Sequence, residues 1–146
     1  MAYVLILDDD YALARRWRNH LRARGHEVVI AFTSPEAIAH VEHSEPDLFL
    51  VDLILRIEGV KPDDTGQRLL TYLGRRFDTG YVAQRAIGMS ALHSPALEID
   101  FRGIFEAYGI THFLAKPFDP GEMCEMIDQL CAALPAGTHM QRPLGA

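Results

Sequence analysis

One short stretch, from Pro46 to Asp52, constrains the fold more than any other part of the chain. Its apolar residues, 48–51, run without interruption and end on the carboxylate of Asp52. An unbroken apolar run of this length is typical of a strand that is buried on both faces of a parallel sheet. A carboxylate is costly inside such a sheet but suits its carboxyl edge, where ligands bind. We therefore predict that Asp52 lies at that edge.

The rest of the chain repeats this pattern of buried strand followed by helix. Apolar runs predict strands, and apolar residues at helical spacing predict helices, with Asp10 and Ser34 as the N-caps of the first two. The predicted strands are residues 3–7, 27–32, 48–52, 86–90 and 112–115, and the predicted helices are residues 11–24, 35–43, 66–77, 95–108 and 120–134. Strict alternation predicts an α/β fold with a five-stranded parallel sheet covered by helices on both faces.

Length and composition fit one soluble domain. We assign residues 1–134 to this domain and residues 135–146 to a flexible tail or truncated linker. A net charge of -6 argues against direct binding to nucleic acid. No apolar run approaches the roughly 18 residues that span a bilayer, and no secretory signal precedes the first strand. Cys124 and Cys131 lie too far apart on one helix for a disulfide, so we expect a reducing, cytoplasmic setting.

Charged and polar residues follow the predicted strands at the edge where their carboxyl ends meet. They are Asp8 and Asp9 after the first strand, Asp52 on the third, Ser90 on the fourth and Lys116 on the fifth. Two carboxylates about 4 Å apart repel by roughly 4 kcal/mol, and one lysine offsets only part of this charge. A divalent cation that prefers oxygen ligands, Mg²⁺ or Mn²⁺, would offset the remainder. Because a carboxylate beside such a cation is a competent nucleophile toward phosphorus, Asp52 is the candidate phosphoacceptor.

Four motifs, in this order, resemble those of the receiver domain of bacterial two-component response regulators. They are VLILDDD at residues 4–10, DLFLVD at 47–52, GMSA at 88–91 and FLAKPF at 113–118. The resemblance covers nearly all of residues 3–134, and it implies a flavodoxin-like (βα)₅ fold with strand order 2-1-3-4-5. It also implies a signalling switch of a two-component system or phosphorelay rather than an enzyme.

The resemblance implies a metal-dependent phosphorylation site. Asp52 would accept a phosphoryl group from a histidine kinase or a phosphotransfer protein. Asp8 and Asp9, Asp9 more directly, would bind Mg²⁺ together with Asp52 and the backbone carbonyl of Ile54. The only turnover expected is self-phosphorylation from small donors and slow self-dephosphorylation.

The resemblance also implies the residues that read out phosphorylation. Lys116 would pair with the phosphoryl group, and Ser90 would hydrogen-bond one of its oxygens. Phe113 matches the aromatic residue that swings inward with Ser90 on activation, although a plain core position explains it equally well. The peptide bond between Lys116 and Pro117 is often cis in this family.

The segment after Asp52 departs from the family pattern. Arg56 replaces a usual proline, and the matching glycine, Gly66, comes about six residues late, so residues 53–65 are expected to form a long loop. In the family that this chain resembles, the side chain two residues past the phosphoacceptor is linked to the lifetime of the acyl phosphate. Here neither Ile54 at that position nor Leu92 can orient a water molecule, so the resemblance implies slow self-dephosphorylation. A half-life of seconds would contradict this.

Two other functions and several partners stay open at the sequence level. A degenerate receiver would bind partners without taking phosphate, and a small Mg²⁺ phosphatase would also form an aspartyl phosphate. Such phosphatases usually carry their nucleophile after the first strand, in a pattern that Tyr11 and Ala12 do not continue. The expected partners are the kinase and either a downstream protein effector or an output domain beyond this chain. Homodimer formation is a further alternative, and no membrane partner is expected.

Overall fold

The computed structural model describes residues 1–53, 66–91, 103 and 105–135, and this part of the chain contains five strands and five helices. The strands are β1 (Tyr3–Leu7), β2 (Glu27–Ala31), β3 (Leu48–Asp52), β4 (Ala86–Ala91) and β5 (His112–Lys116). The helices are α1 (Tyr11–Ala23), α2 (Ser34–Ser44), α3 (Gly66–Arg76), α4 (Thr79–Arg85) and α5 (Pro120–Ala133). All five predicted strands are therefore confirmed to within a residue at each end.

The strands form one parallel sheet in the order β2-β1-β3-β4-β5, which confirms the predicted fold. Its register aligns the carboxyl ends of neighbouring strands, with the pairs Leu7–Val51, Asp52–Met89 and Ala91–Lys116 directly opposite each other. Side chains that end or follow β1, β3, β4 and β5 consequently meet at one edge.

Both faces of the sheet are buried, and successive residues of each strand point into different cores. In β1, Val4 and Ile6 belong to the core under α1 and α5, whereas Leu5 and Leu7 belong to the core under α2, α3 and α4. All four side chains are fully buried. This alternation explains why the central strands read as continuous apolar runs and not as alternating patterns.

The helix starts confirm one predicted cap and correct the other. Asp10 caps α1, since its side chain accepts a hydrogen bond of 3.1 Å from the amide of Leu13. The predicted cap of α2, Ser34, is wrong: Thr33 is the N-cap, and its hydroxyl accepts from the amide of Glu36 at 3.3 Å. The Glu36 carboxylate accepts a hydrogen bond from the amide of Phe32. Thr33 and Glu36 together therefore cap the helix, one residue earlier than predicted.

The short helix α4 was not predicted, because its seven residues are too few for a periodic apolar pattern. Packing stabilises it. The rings of Phe77 and Tyr81 stack with centroids 3.9 Å apart, and the guanidinium groups of Arg76 and Arg85 cover their rings at 5.0 and 4.5 Å. Burial raises the pKa of Tyr81 to about 12. Asp78 caps the helix by accepting from the amide of Tyr81 at 2.7 Å.

Some predicted segments lie wholly or mostly outside the described residues. Of the helix predicted at 95–108, residues 103 and 105–107 are helical and most of the remainder is not described. The long loop at 53–65 and the tail at 135–146 also lie outside, except for their first residues, so the domain boundary stays a prediction. Both cysteines are free and buried. None of the described helices is long and apolar enough to cross a bilayer.

A buried histidine connects the N-terminus of the chain to α5. The amide of Ala2 donates to Nδ1 of His26 at 3.0 Å, so Nε2 carries the ring proton and donates to Asp128 at 2.7 Å. Arg24 donates to the other Asp128 oxygen at 2.5 Å. Partial burial alone would raise the pKa of Asp128, but the hydrogen bonds from His26 and Arg24 outweigh it and lower the pKa below the usual 3.8.

We predict that Asp128→Asn lowers the free energy of unfolding at pH 7 by about 1 kcal/mol, the net value of one hydrogen bond partly open to solvent. Because the pKa of Asp128 is lower in the folded state, its contribution is present above pH 3.8 and is lost as the pH falls below it. Urea titrations at pH 7 and pH 3 measure this. Glu125→Gln, an exposed acid on the same helix, is the control, and an equal loss in both variants would contradict the prediction.

Candidate functional site

Three carboxylates meet at the carboxyl edge of the sheet. Asp8 and Asp9 follow β1 and Asp52 is the last residue of β3; one oxygen from each side chain lies within 4.8 Å of the other two. Asp8 is fully buried and Asp52 is 5% exposed, whereas Asp9 is half-buried. Among the described residues, this is the only group of three potential metal ligands at such spacing. The sequence prediction that these acids converge is confirmed.

Lys116, the last residue of β5, bridges two of these carboxylates. Its ammonium group donates to Oδ2 of Asp52 at 3.0 Å and makes a very short hydrogen bond to Oδ2 of Asp8. The lysine side chain is only 12% exposed. A bridge of this kind connects the ends of β1, β3 and β5 through charge-assisted hydrogen bonds.

Lys116 offsets the burial of Asp8 only in part. Burial raises the pKa of Asp8 above its usual 3.8, although the charge and hydrogen bond of Lys116 act in the opposite direction. Burial alone would lower the pKa of Lys116, but the charges of Asp52 and Asp8 outweigh it and raise the pKa above 10.5. The site therefore holds a firmly protonated lysine and a buried carboxylate that further positive charge would stabilise.

The donor set fits a hard divalent cation. All three side chains offer carboxylate oxygens, which Mg²⁺ and Mn²⁺ prefer, and no sulfur or imidazole ligand joins them among the described residues. The hydrogen bonds of Lys116 to Asp8 and Asp52 do not involve Asp9, whose side chain is half-buried and so is partly open to solvent. An acidic pocket that can bind a metal ion is thus present.

The two predicted switch residues lie on β4 and β5. Ser90, 8% exposed, directly follows Met89, which pairs with Asp52 in the register. Phe113 is half-buried and pairs with Gly88. A second aromatic ring, Phe105, lies on Gly88 so closely that an added Cβ would be 2.6 Å from it, and it contacts the Phe113 ring at a centroid distance of 5.5 Å.

The site has the order of acids, hydroxyl and lysine that the motifs led us to expect, and the sequence matches the family model of the response regulator receiver domain over residues 4–128. The chain belongs to the response regulator receiver family. Receiver domains are signalling modules of two-component systems and are generally not enzymes.

Two transcriptional or stress-response regulators are similar to this receiver in sequence, as their names describe them. Acid tolerance regulatory protein ActR of Rhizobium meliloti is 30% identical over 127 residues, which cover 86% of this chain and 58% of ActR. Transcriptional regulatory protein TrcR of Mycobacterium tuberculosis is 26% identical over 146 residues, covering 96% of this chain and 48% of TrcR. The chain thus spans about half the length of these relatives.

Solved receiver structures share the fold. A CheY-like receiver domain protein from Methanospirillum hungatei is 25% identical, with a TM-score of 0.71 over 90% of this chain and 95% of that one. NtrX from Brucella abortus is 20% identical, with a TM-score of 0.73 over 90% of this chain but only 27% of that one. The second comparison shows the receiver fold within a longer protein.

One predicted metal ligand of this receiver falls outside the described residues, namely the carbonyl of Ile54, as do Arg56 and Leu92. Their expected roles stay predictions. The peptide bond between Lys116 and Pro117 is cis, as the family resemblance implied.

Sequence reasoning missed two residues that contact the site. Trp17 has the helical spacing of the buried face of α1, which indicates only a core residue, yet the Lys116 ammonium lies over its ring, 5.4 Å from the centroid. Gly66 was recognised only as a displaced family glycine, yet it packs on the backbone of Asp52. Periodicity alone could place Trp17 on a buried face but could not indicate which side chain it contacts there.

Gly66 brings the start of α3 into contact with the end of β3. A Cβ built on Gly66 would lie 2.2 Å from the carbonyl oxygen of Asp52 and 2.7 Å from a methyl group of Val51. Its amide donates to the carbonyl of Leu53 at 3.0 Å. Only glycine permits this approach. Gly66, which follows residues 54–65 in sequence, therefore packs directly against the backbone of Asp52.

We predict that Gly66→Ala destabilises the protein by about 2 kcal/mol, because the methyl group must displace backbone atoms at Asp52. Gly74→Ala on the same helix is the matched control, since no atom lies within 4 Å of its added Cβ, and it should stabilise by up to about 1 kcal/mol. Thermal or urea unfolding of both variants checks this. Equal effects of the two substitutions would contradict the packing described here.

Proposed function

We propose that this receiver accepts a phosphoryl group on Asp52 in a Mg²⁺-dependent reaction and changes its protein partner as a result. The observation that carries the proposal is the position of the Asp52 carboxylate, which is held by Lys116 beside two further carboxylates at the rim of the sheet. The donor would be the phosphohistidine of a histidine kinase or phosphotransfer protein. Family membership supports this choice, since the match covers residues 4–128.

The described side chains suit the transfer step. An Asp52 oxygen attacks phosphorus, the bond from phosphorus to the donor nitrogen breaks, and the donor imidazole leaves with the electron pair of that bond. Lys116 already contacts Asp52 at 3.0 Å, and its charge offsets that on the incoming phosphoryl oxygens. Ser90 lies on the neighbouring strand, where its hydroxyl would donate to one of these oxygens.

The carboxylates of Asp8, Asp9 and Asp52, with the proposed carbonyl of Ile54, would hold Mg²⁺ or Mn²⁺. A bound cation supplies positive charge that stabilises the transferring phosphoryl group. This role is compatible with the raised pKa of Asp8, whose burial favours an additional neighbouring positive charge.

The readout of phosphorylation is proposed to run through Ser90 and Phe113. Phe113 is only half-buried and rests against Phe105, so movement of its ring would change the surface beside β5. The effector is a downstream protein or an output domain outside this chain, as the coverage of the named relatives suggests. A cytoplasmic location is part of the proposal and agrees with two free cysteines.

Intact mass measurement tests the proposal directly. Incubated with Mg²⁺ and acetyl phosphate or phosphoramidate, the protein is expected to gain one phosphoryl group, and Asp52→Asn is expected to gain none. Chelation of Mg²⁺ should prevent the adduct. Lys116→Met should slow its formation by about tenfold or more, because the transferring charge is then uncompensated.

Asp10→Asn is the matched control, since Asp10 neighbours the acids but caps α1, and asparagine also serves as an N-cap. This variant should gain the phosphoryl group at the normal rate. Absence of an adduct with every donor, together with absence of Mg²⁺ binding, would contradict the proposal and favour a degenerate receiver. Continuous hydrolysis of a phosphomonoester would favour the phosphatase instead.

A further inference from the structure

The Lys116 ammonium group has a third neighbour that is not a carboxylate. Asp8 and Asp52 accept two of its hydrogen bonds, and the face of the Trp17 ring lies 5.4 Å away. This distance is within the roughly 6 Å at which the negative face of an indole attracts a cation. Because the lysine side chain is 12% exposed, the attraction is only weakly screened by water.

Trp17 is firmly held in this position. It is 2% exposed, and its ring stacks on Phe118 with a centroid distance of 4.9 Å and an interplanar angle of 20°. Phe118 follows Lys116 by two residues, so the same turn of chain presents the lysine and one side of the aromatic stack. The ring thus connects α1 to the segment between β5 and α5.

We propose that Trp17 is a positioning residue for Lys116. The four-carbon stem of a lysine allows many rotamers, and the two carboxylates alone do not determine which of them the ammonium group adopts once a phosphoryl group arrives. The aromatic face adds an attraction from the side of α1 and keeps the charge at the Asp52 oxygen. This inference rests on the proposed function, because positioning matters through the transfer step at Asp52.

Substitution of the ring separates its electrostatic role from its bulk. Trp17→Leu keeps an apolar side chain but removes the aromatic face, and it should slow phosphoryl acceptance about fivefold, as expected for one partly desolvated cation–π contact. Trp17→Phe keeps a smaller aromatic face and should recover most of the rate. Acceptance is followed by intact mass with acetyl phosphate and Mg²⁺, at a temperature where circular dichroism shows every variant folded.

Leu21→Ala is the control for simple loss of packing. Leu21 is fully buried and lies one turn further along the buried face of α1, away from Asp8 and Asp9 at the start of that helix. A double-mutant comparison adds a second control. If Trp17 acts through Lys116, then in a Lys116→Met background the change Trp17→Leu slows acceptance no more than Leu21→Ala does.

A lysine spectrum reports the contact without any phosphorylation. The chain contains only two lysines, Lys61 and Lys116, so protein labelled with ¹³C at the lysine Cε gives two signals, and Lys116→Met assigns them. The Lys116 methylene protons should be shifted upfield by the indole ring. The shift should disappear in Trp17→Leu, persist in part in Trp17→Phe and remain in Leu21→Ala.

The outcomes distinguish this inference from the proposed function. If the wild type is phosphorylated on Asp52 but Trp17→Leu matches Leu21→Ala, the positioning role is overturned and the proposed function stands. If the wild type takes no phosphoryl group from any donor, the proposed function fails, and the lysine spectrum decides the contact. A Lys116 signal that does not change in Trp17→Leu overturns the inference in either case.

Discussion

The bridge from Lys116 to Asp8 and Asp52 is the interaction on which the rest of the structure depends. A parallel sheet brings the ends of β1, β3 and β5 to one edge, and this chain places acids on two of those ends. Unbalanced, two such buried carboxylates would repel by several kcal/mol. The positive charge of the lysine offsets part of this repulsion, but a net negative charge remains. The same bridge therefore connects the strands and leaves a site that a cation would stabilise.

Most of this architecture could be predicted from sequence, because it follows from short-range patterns. Buried strands such as Leu48–Asp52 read as apolar runs, and a polar residue at the end of each run marks the carboxyl edge. Once the strands are parallel, Asp8, Asp52 and Lys116 must all lie along the same edge of the sheet. The order of the strands came only from the resemblance, since no local pattern distinguishes 2-1-3-4-5 from other parallel orders.

The features that could not be predicted depend on contacts between distant parts of the chain. Helix α4 is stabilised by an aromatic stack between two arginines, and seven residues carry no periodic pattern that would indicate it. The N-cap of α2 is Thr33 and not Ser34, and the side chains of Thr33 and Glu36 complete this cap together. Trp17 has the spacing of a core residue, and only its three-dimensional position shows that it faces the ammonium group of Lys116.

The contact between Gly66 and the end of β3 has a consequence for how this protein can vary. The hydrogen bond from the Gly66 amide to the Leu53 carbonyl joins the two ends of the segment between them, directly beside the end of β3. Lengthening a closed loop costs little, about 0.6 kcal/mol for each doubling. Insertions or deletions between residues 55 and 65 are therefore expected to cost little stability, because the contact of Gly66 with the end of β3 holds Asp52 in place. The constraint on variation falls on Gly66 itself, because a side chain at this position would displace the backbone of Asp52.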